Sequence, residues 1–394
     1  MKFQELLLKQ ELIKKIQEKE FQELTLIQEK CLPEILKGND VVGQAETGSG
    51  KTLAFCLPLL NKITPGQGIQ ALILTPTREL CVQVMDVFKE FGSQLKIKTM
   101  SVYGGVSISN QIKQLPSADI VCGTPGRILD HINRRTIDFG YIQFLVLDEM
   151  DKMFEMGFIN DVEHIISYVP KKRQTLMFSA TISYEVHQIM KRHLKQPVIV
   201  KTKTQVDTTK LKQVYYDIYQ QNNKFSLLVH LLKHNTSGLA IVFCGTRTES
   251  DVVATNLKQQ GINARAIHGG MSQQNRSKSL DSLKNETTDV LVATDVAARG
   301  LDIKNVSHIY NYDVPATPKE YIHRIGRTAR AGENGSAVTL LTERDHDNFR
   351  RVQSNEELNI VRAPLPNFER VPFMRRTTPK KRQYKTKRHY YKKR

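Results

Sequence analysis

The sequence predicts an α/β protein of two tandem domains, each a parallel sheet flanked by helices, followed by a short basic disordered tail. Three observations lead there. Short apolar, β-rich runs alternate with amphipathic stretches along most of the 394 residues, the pattern of strands covered on both faces by right-handed crossover helices. The alternation breaks once, at the polar, non-periodic stretch Gln196–Lys212. The formal charge of +18 is uneven: Arg370 to Arg394 holds twelve Lys/Arg and no Asp/Glu, leaving +6 for the body. So charged a segment buries too little to fold alone.

The strands are read in order at Val41-Val42, Ala71–Leu74, Met100–Tyr103, Ile120–Cys122, Phe144–Leu147 and Thr175–Phe178 in the first half. The second half gives Gln213–Ile218, Leu239–Phe243, Ala264–Ile267, Val290–Val292, His308–Tyr310 and Ala337–Leu341. Pro364 and Pro366 end the last helical pattern. The boundaries expected are an N-terminal segment 1–29, a first domain 30–200, a linker 201–212, a second domain 213–365 and the tail 366–394. The halves are expected to be similar folds without shared motifs.

An apolar share of 40% suits ordinary buried cores and excludes a disordered or fibrous chain. The positive balance points to a polyanionic partner or an anionic surface. Five widely spaced cysteines, an odd number, exclude a C-x-x-C zinc module and argue against a disulfide framework. No stretch resembles a signal peptide, and none approaches the roughly 20 apolar residues of a membrane span. A cytoplasmic protein without membrane or zinc partners is expected.

Ala45-Glu46-Thr47-Gly48-Ser49-Gly50-Lys51-Thr52 follows a strand and opens a helix. Glycines there let backbone N–H groups face phosphate oxygens, the helix N-terminus adds positive potential, Lys51 reaches the β/γ phosphates and Thr52 can ligate Mg²⁺. Further on, Phe144–Leu147 runs into Asp148-Glu149-Met150-Asp151. An aspartate ending a buried parallel strand lies beside such a loop and can hold Mg²⁺, largely through water, while Glu149 orients the attacking water. Arg327 and Arg330 stand three apart in His323–Arg330 and project to one side of a helix, suited to the charge spread over a γ-phosphate.

This set resembles the DEAD-box RNA helicases of helicase superfamily 2, over roughly Phe3 to Thr342. The resemblance implies tandem RecA-like domains, ATP and Mg²⁺ as cofactors, and RNA as partner. Gln28 and Phe21 are similar to the adenine-reading glutamine motif, with Phe3 at its upstream aromatic position; the implied nucleotide contacts are Glu46, Thr47, Gly48, Ser49, Gly50, Lys51, Thr52, Gly300 and Asp302. First-domain RNA-backbone motifs are matched by Pro76, Thr77 and Arg78, by Gly104 and Gly105, and by Thr124, Pro125, Gly126 and Arg127. Gly245, Thr246 and Thr294 match those of the second domain, and Gln273 with Arg276 a further element. Ser179, Ala180 and Thr181, with Asp151 and His323, resemble the residues coupling hydrolysis to RNA binding. Lys51, Asp148, Glu149, Arg327 and Arg330 are the implied catalytic set.

Three departures stand out. Met150 replaces the alanine of the acidic box, and Glu20 and Leu24 occupy positions where the adenine motif carries glycine and proline. The resemblance implies a monomer whose domains close on ATP and RNA, bend single-stranded or short-duplex RNA with little reading of bases, and open a few base pairs. The tail, with Tyr384, Tyr390 and Tyr391 among its cations, is expected to tether RNA. Sequence alone does not separate this helicase from an ATP-gated RNA clamp or assembly factor with little unwinding; against a DNA-directed relative of the same superfamily, the adenine motif and the pairing of Ser179-Ala180-Thr181 with His323–Arg330 favour RNA.

Overall fold

The computed structural model describes residues 2–45, 48–202, 211–221, 223–285, 287–298, 303, 306–328, 335–356 and 358–375, apart from the side chains of Gln273, Ser277, Lys284 and Val296. Glu46, Thr47, Gly300, Asp302 and Arg330, together with most of the expected linker and tail, lie outside the described residues.

The first sheet contains β1 (Val41–Gln44), β2 (Ala71–Leu74), β3 (Thr99–Val102), β4 (Ile120–Gly123), β5 (Phe144–Leu147), β6 (Gln174–Ser179) and β7 (Val198–Lys201). The second contains β8 (Leu211–Asp217), β9 (Leu239–Phe243), β10 (Ala264–Ile267), β11 (Val290–Ala293), β12 (Val306–Asn311), β13 (Gly335–Leu341) and β14 (Val361–Arg362). Strand order is β3-β4-β2-β5-β6-β1-β7 in one sheet and β10-β11-β9-β12-β13-β8-β14 in the other. Counting within each sheet, the two orders are the same, so every first-domain strand has a counterpart in the second.

All pairings are parallel, and helices cover both faces. Alternation along each strand divides the apolar residues between the faces. Ile73 and Val146 face one core layer, Leu72, Leu145 and Leu147 the other; Ile241 and Ile309 are separated from Val242 and Tyr310 in the same way. Met150, fully buried, packs into the second of the first-domain layers beside Met153 and Val186, so the larger side chain at the alanine position is absorbed by core.

Three expectations are corrected. The stretch Gln196–Lys212 contains strand β7 pairing with β1, and Leu211 already belongs to β8. β7 lies at a sheet edge with Ile199 48% exposed, so it needs no continuous apolar run and reads as polar connection. The tail does not begin at 366: Phe368, Val371 and Phe373 pack on the second domain. Val371 N–H donates to Ser226 Oγ (3.1 Å), and Asn256 accepts from Met374 N–H (2.8 Å) while its amide donates to Met374 O (3.1 Å). The halves also share motifs, as the site makes plain.

Candidate nucleotide and nucleic-acid site

The phosphate loop leaves β1 and enters the helix Lys51–Lys62. Gly48 and Gly50 have φ of +87° and +93°, left-handed values that favour glycine. A Cβ on Gly50 would also lie 2.5 Å from Gln28 Nε2. Gln28 joins the two nucleotide segments: its Oε1 accepts from Thr25 N–H (3.0 Å) and its Nε2 donates to Gly50 O (3.1 Å). Lys51 is buried and donates from Nζ to Ala45 O (2.7 Å). Phe21 lies on the helix Arg78–Gly92 through a stacked contact with Phe91, centroids 6.3 Å apart. Phe21, Gln28, Gly48, Gly50, Lys51, Thr52, Asp148 and Glu149 line one cleft of about 1460 Å³, whose other wall belongs to the second domain.

Asp148 and Glu149 sit at the end of β5 in opposite electrostatic states. Burial pushes Asp148 up to about 6, only partly offset by Lys51. Burial acts on Glu149 as well, but Lys152 at 2.7 Å, Lys51 and Arg327 outweigh it and bring Glu149 down to about 2. Glu149 has φ +52°, a left-handed cap that turns the chain into the helix Met150–Glu155. Asp151 accepts at Oδ2 from both the backbone N–H (3.1 Å) and the Oγ1–H (3.2 Å) of Thr181, and its own N–H donates to Ser179 Oγ (3.1 Å). Gln44 Nε2 donates to Ala180 O (3.3 Å). The expected coupling residues of the first domain are thus one hydrogen-bonded group.

The second domain meets this group with the helix Pro318–Ile325. Lys319 pairs with Glu155 at 2.7 Å. Burial, with Lys152 nearby, lowers the His323 pKa to about 4, so the ring is neutral against Asp151 and Glu155. Arg327 is buried and its charge acts on Glu149 across the cleft. A second bridge joins Arg276 Nε to Glu79 at 2.8 Å. Arg324, which sequence reasoning passed over, anchors the arginine segment: its guanidinium holds Asp295 at 2.6 and 2.7 Å and Asn311 at 3.0 Å. Its signal was its place beside His323 in a run of basic residues, where it reads as one more surface cation.

The expected RNA contacts of the first domain gather at the ends of β2, β3 and β4. Thr77 caps the helix that Arg78 opens, after Pro76, its Oγ1 accepting from Leu80 N–H. Arg78 lies so close over Gly105, beside Gly104, that a Cβ on Gly105 would overlap its guanidinium. Thr124 precedes the helix Pro125–Asn133, which includes Gly126 and Arg127; Arg127 donates to Val106 O (3.2 Å) and Gln111 Oε1 (2.9 Å).

The second domain repeats this construction at the same offsets. Thr246 stands three residues after β9, as Thr77 does after β2, with φ/ψ of −129°/156° against −129°/154°. Arg247 then lies 3.5 Å from a Cβ on Gly269, and Gly269 and Gly270 follow β10 by two and three residues as Gly104 and Gly105 follow β3. Thr294 follows β11 directly, as Thr124 follows β4. Gly245 N–H donates to Asp313 Oδ2 (2.8 Å). Arg247, Gly269 and Gly270 were missed because Thr-Arg and Gly-Gly are too short to register as a repeat before the strands are aligned.

Comparison with known proteins agrees with the geometry. The sequence model of the DEAD/DEAH box helicase family matches residues 25–189, and that of the helicase conserved C-terminal domain matches 223–332. The chain is 43% identical over 371 residues to the ATP-dependent RNA helicase CshA of Limosilactobacillus reuteri, covering 94% of this chain and 75% of that one. It is 43% identical over 369 residues to the DEAD-box ATP-dependent RNA helicase CshA of Bacillus subtilis, covering 93% and 75%. Among solved structures, S. cerevisiae Dbp5 bound to RNA and ADP BeF3 superposes with a TM-score of 0.84 at 33% identity, covering 92% of this chain and 96% of that one. A DEAD box protein from the hyperthermophile Methanococcus jannaschii is more similar in sequence at 39%, yet gives 0.55 with coverage of 92% and 99%. Of these two structures, RNA-bound Dbp5 is the nearer in overall superposition. With paired RecA-like sheets, a phosphate loop and the acidic box in one cleft, and an arginine segment of the second domain whose charge acts on that box, the chain belongs to the DEAD-box family of helicases.

Proposed function

We propose that the chain is an ATP-dependent RNA helicase, in which RNA-stimulated hydrolysis at the domain interface drives local opening of short duplexes or remodelling of RNA–protein complexes. The observation carrying this reading is that Arg327 acts on Glu149 from the other domain, so that the hydrolytic site is complete only when the halves meet. Lys51 and the loop N–H groups would hold the ATP phosphates. Gln28 would read adenine with its second N–H and the remaining lone pair of Oε1, while the Nε2–Gly50 bond ties adenine recognition to loop shape. Glu149, ionised at neutral pH, would accept a hydrogen bond from the attacking water and orient it, and Arg327 would meet the charge that grows on the γ-phosphate.

Asp148 and Thr52 fit a divalent cation: an acid at the end of a buried strand, held up to about 6 by burial, is what a positive ion relieves. Mg²⁺ bound there would neutralise the β- and γ-phosphate oxygens. RNA phosphates would lie along Arg78, Gly105, Thr124 and Arg127 in one domain and along Gly245, Thr246 and Thr294 in the other, with Arg247 and Gly270 completing the second set. Because ATP and RNA both bridge the halves, each favours closure and strengthens the other's binding. His323 against Asp151, itself bonded to Thr181, gives that coupling a path.

We further propose a monomer with a cytoplasmic location and the basic tail as an RNA tether; among the described residues no helix is long and apolar enough to cross a membrane. Steady-state ATP hydrolysis is measured alone and with single-stranded RNA or DNA of the same sequence. Stimulation by RNA alone supports the reading. No stimulation by either, or equal stimulation by both, overturns it.

A further inference from the structure

Superposing the two strand orders gives the nucleotide site a counterpart in the second domain. Lys51 comes seven residues after Gln44, the last of β1; Lys224 comes seven residues after Asp217, the last of β8, the strand in the equivalent place. Glu149 is the second residue beyond β5, and Asp313 the second beyond the equivalent β12. Lys224 is only 1% exposed, although no phosphate loop precedes it. A lysine buried this deeply requires an anion. It has one from its own chain: Nζ lies 2.9 Å from Asp345 Oδ2 and 3.6 Å from Asp313 Oδ1. Asp345 is held for this by Thr342, whose N–H (3.0 Å) and Oγ1–H (2.7 Å) both donate to the same Oδ2. Beside the pair remains a cavity of about 700 Å³ lined by Lys224, Thr246, Glu249, Tyr312, Arg344 and Phe373.

We infer that the second domain carries a closed-off counterpart of the nucleotide site, in which the Asp345 carboxylate stands where a phosphate would meet the lysine, and that this internal pair positions the Gly245–Thr246 turn for RNA through Asp313. The link is direct. Asp313 Oδ1 faces Lys224 and, at 3.1 Å, Arg344, while Oδ2 accepts the Gly245 N–H. With Lys224 fixed on Asp345, Asp313 is held by two cations and by a hydrogen bond with Glu249, and presents its second oxygen to the turn. The second domain's grip on RNA is therefore set without a nucleotide, whereas Lys51 awaits one. Lys224, Asp313 and Asp345 are positioning residues. This inference rests on the reading that Gly245 and Thr246 touch RNA.

The test uses the full chain carrying Asp345→Ala. RNA affinity in the presence of a non-hydrolysable ATP analogue is expected to fall about tenfold, in line with loss of a charge partner behind the turn, with affinity for a fluorescent ADP analogue unchanged. Removal of the carboxylate leaves room beside Lys224 for an anion. Millimolar inorganic phosphate, compared with chloride at equal ionic strength, should raise the variant's melting temperature. It should not raise that of the unaltered chain or of the double variant Lys224→Met, Asp345→Ala beyond a common baseline. Unchanged RNA affinity in folded Asp345→Ala, or a phosphate response shared by the double variant, overturns the inference. Where Asp345→Ala yields no folded protein, Asp345→Asn, which keeps an acceptor for Thr342 and removes only the charge, carries the RNA measurement with the same two outcomes. If the unaltered chain binds no RNA, the reading of Gly245 and Thr246 fails, and the phosphate-dependent melting still decides whether Asp345 holds a phosphate's place.

Discussion

The two domains have the same strand order and the same threonine, arginine and glycine residues at equivalent strand ends, yet they differ in what meets the buried lysine. In the first domain Lys51 rests on a backbone carbonyl, Ala45 O, at 2.7 Å. In the second Lys224 is held by the carboxylate of Asp345 at 2.9 Å. A neutral acceptor on a lysine is readily exchanged for a phosphate; an ion pair in a dry setting is not. The comparison teaches how one frame can supply a half that responds to a ligand and a half that is already set. The side chains proposed to orient water and to couple, Glu149 and Asp151, belong to the responsive half, and Arg327, whose charge acts on Glu149, comes from the other.

The largest effect expected within this contrast is on chemistry. Glu149→Gln removes the ionised acceptor for water while leaving the loop, Lys51 and both RNA faces intact. ATP turnover with saturating RNA should fall by roughly 10²–10⁴, and the complex with both ATP and RNA should persist rather than decay, seen as slow RNA release in a filter or fluorescence assay. Turnover near the normal rate would remove Glu149 from its assigned role.

The paired lysines come next, and they break the comparison if it is wrong. Lys51→Ala should lose ATP affinity with the smaller change in melting temperature, because the acceptor it leaves, Ala45 O, carries no charge. Lys224→Ala should do the reverse: Asp345 loses its close cation while Asp313 keeps Arg344, a loss of roughly 3–5 kcal/mol for a buried pair, while nucleotide affinity stays. Calorimetry and nucleotide titration on both variants decide it. The same phenotype in both would mean that the equivalent positions do not have different duties.

A smaller effect tests the contact between the halves. His323 is held to about 4 by burial and Lys152 in the closed arrangement, and it returns toward 6.5 when exposed. Its closed-state pKa is the lower one, so closure is fully favoured above about 6.5 and is progressively lost as pH falls toward 4. RNA affinity with an ATP analogue should therefore weaken from pH 7 to pH 5, by at most about tenfold per unit. His323→Gln should flatten that slope. A variant with the unaltered slope would place the titration elsewhere.

Much of this was legible in the sequence because function concentrated residues into short runs. Lys51, Asp148, Glu149, Thr181 and Arg327 could be found by motif, and twelve strands by alternation, since each occupied a buried place that demands apolar side chains. What escaped was what depends on the sheet. β7 was lost in polar surroundings because an edge strand covers one face. Arg247, Gly269 and Gly270 were hidden because their likeness to Arg78, Gly104 and Gly105 exists only once β9 and β10 are laid on β2 and β3. Lys224, Asp313 and Asp345 are spread over more than a hundred residues as single charges of ordinary appearance. Burial distinguishes them, and burial of a lone lysine is not written in its neighbours.

The smallest expected effect concerns the segment that the first domain has and the second lacks. Glu20, at the position where related adenine motifs carry glycine, has φ +56° and closes a turn by donating its N–H to Gln17 O at 2.9 Å. The residue before Phe21 must adopt this left-handed shape for the ring to reach the helix carrying Phe91. A non-glycine residue pays roughly 1–2 kcal/mol there, and glycine returns roughly 0.5–1 kcal/mol through its freer unfolded chain. The balance favours Glu20→Gly by about 0.5 kcal/mol, a rise in melting temperature of about 1–2 °C for a domain of this size. Because Gln28 and Gly50 are untouched, the ratio of ATP to GTP affinity should not move. A lower melting temperature would show that the Glu20 side chain holds the turn by contacts worth more than the strain, and a changed ratio would show that the turn itself sets the adenine pocket.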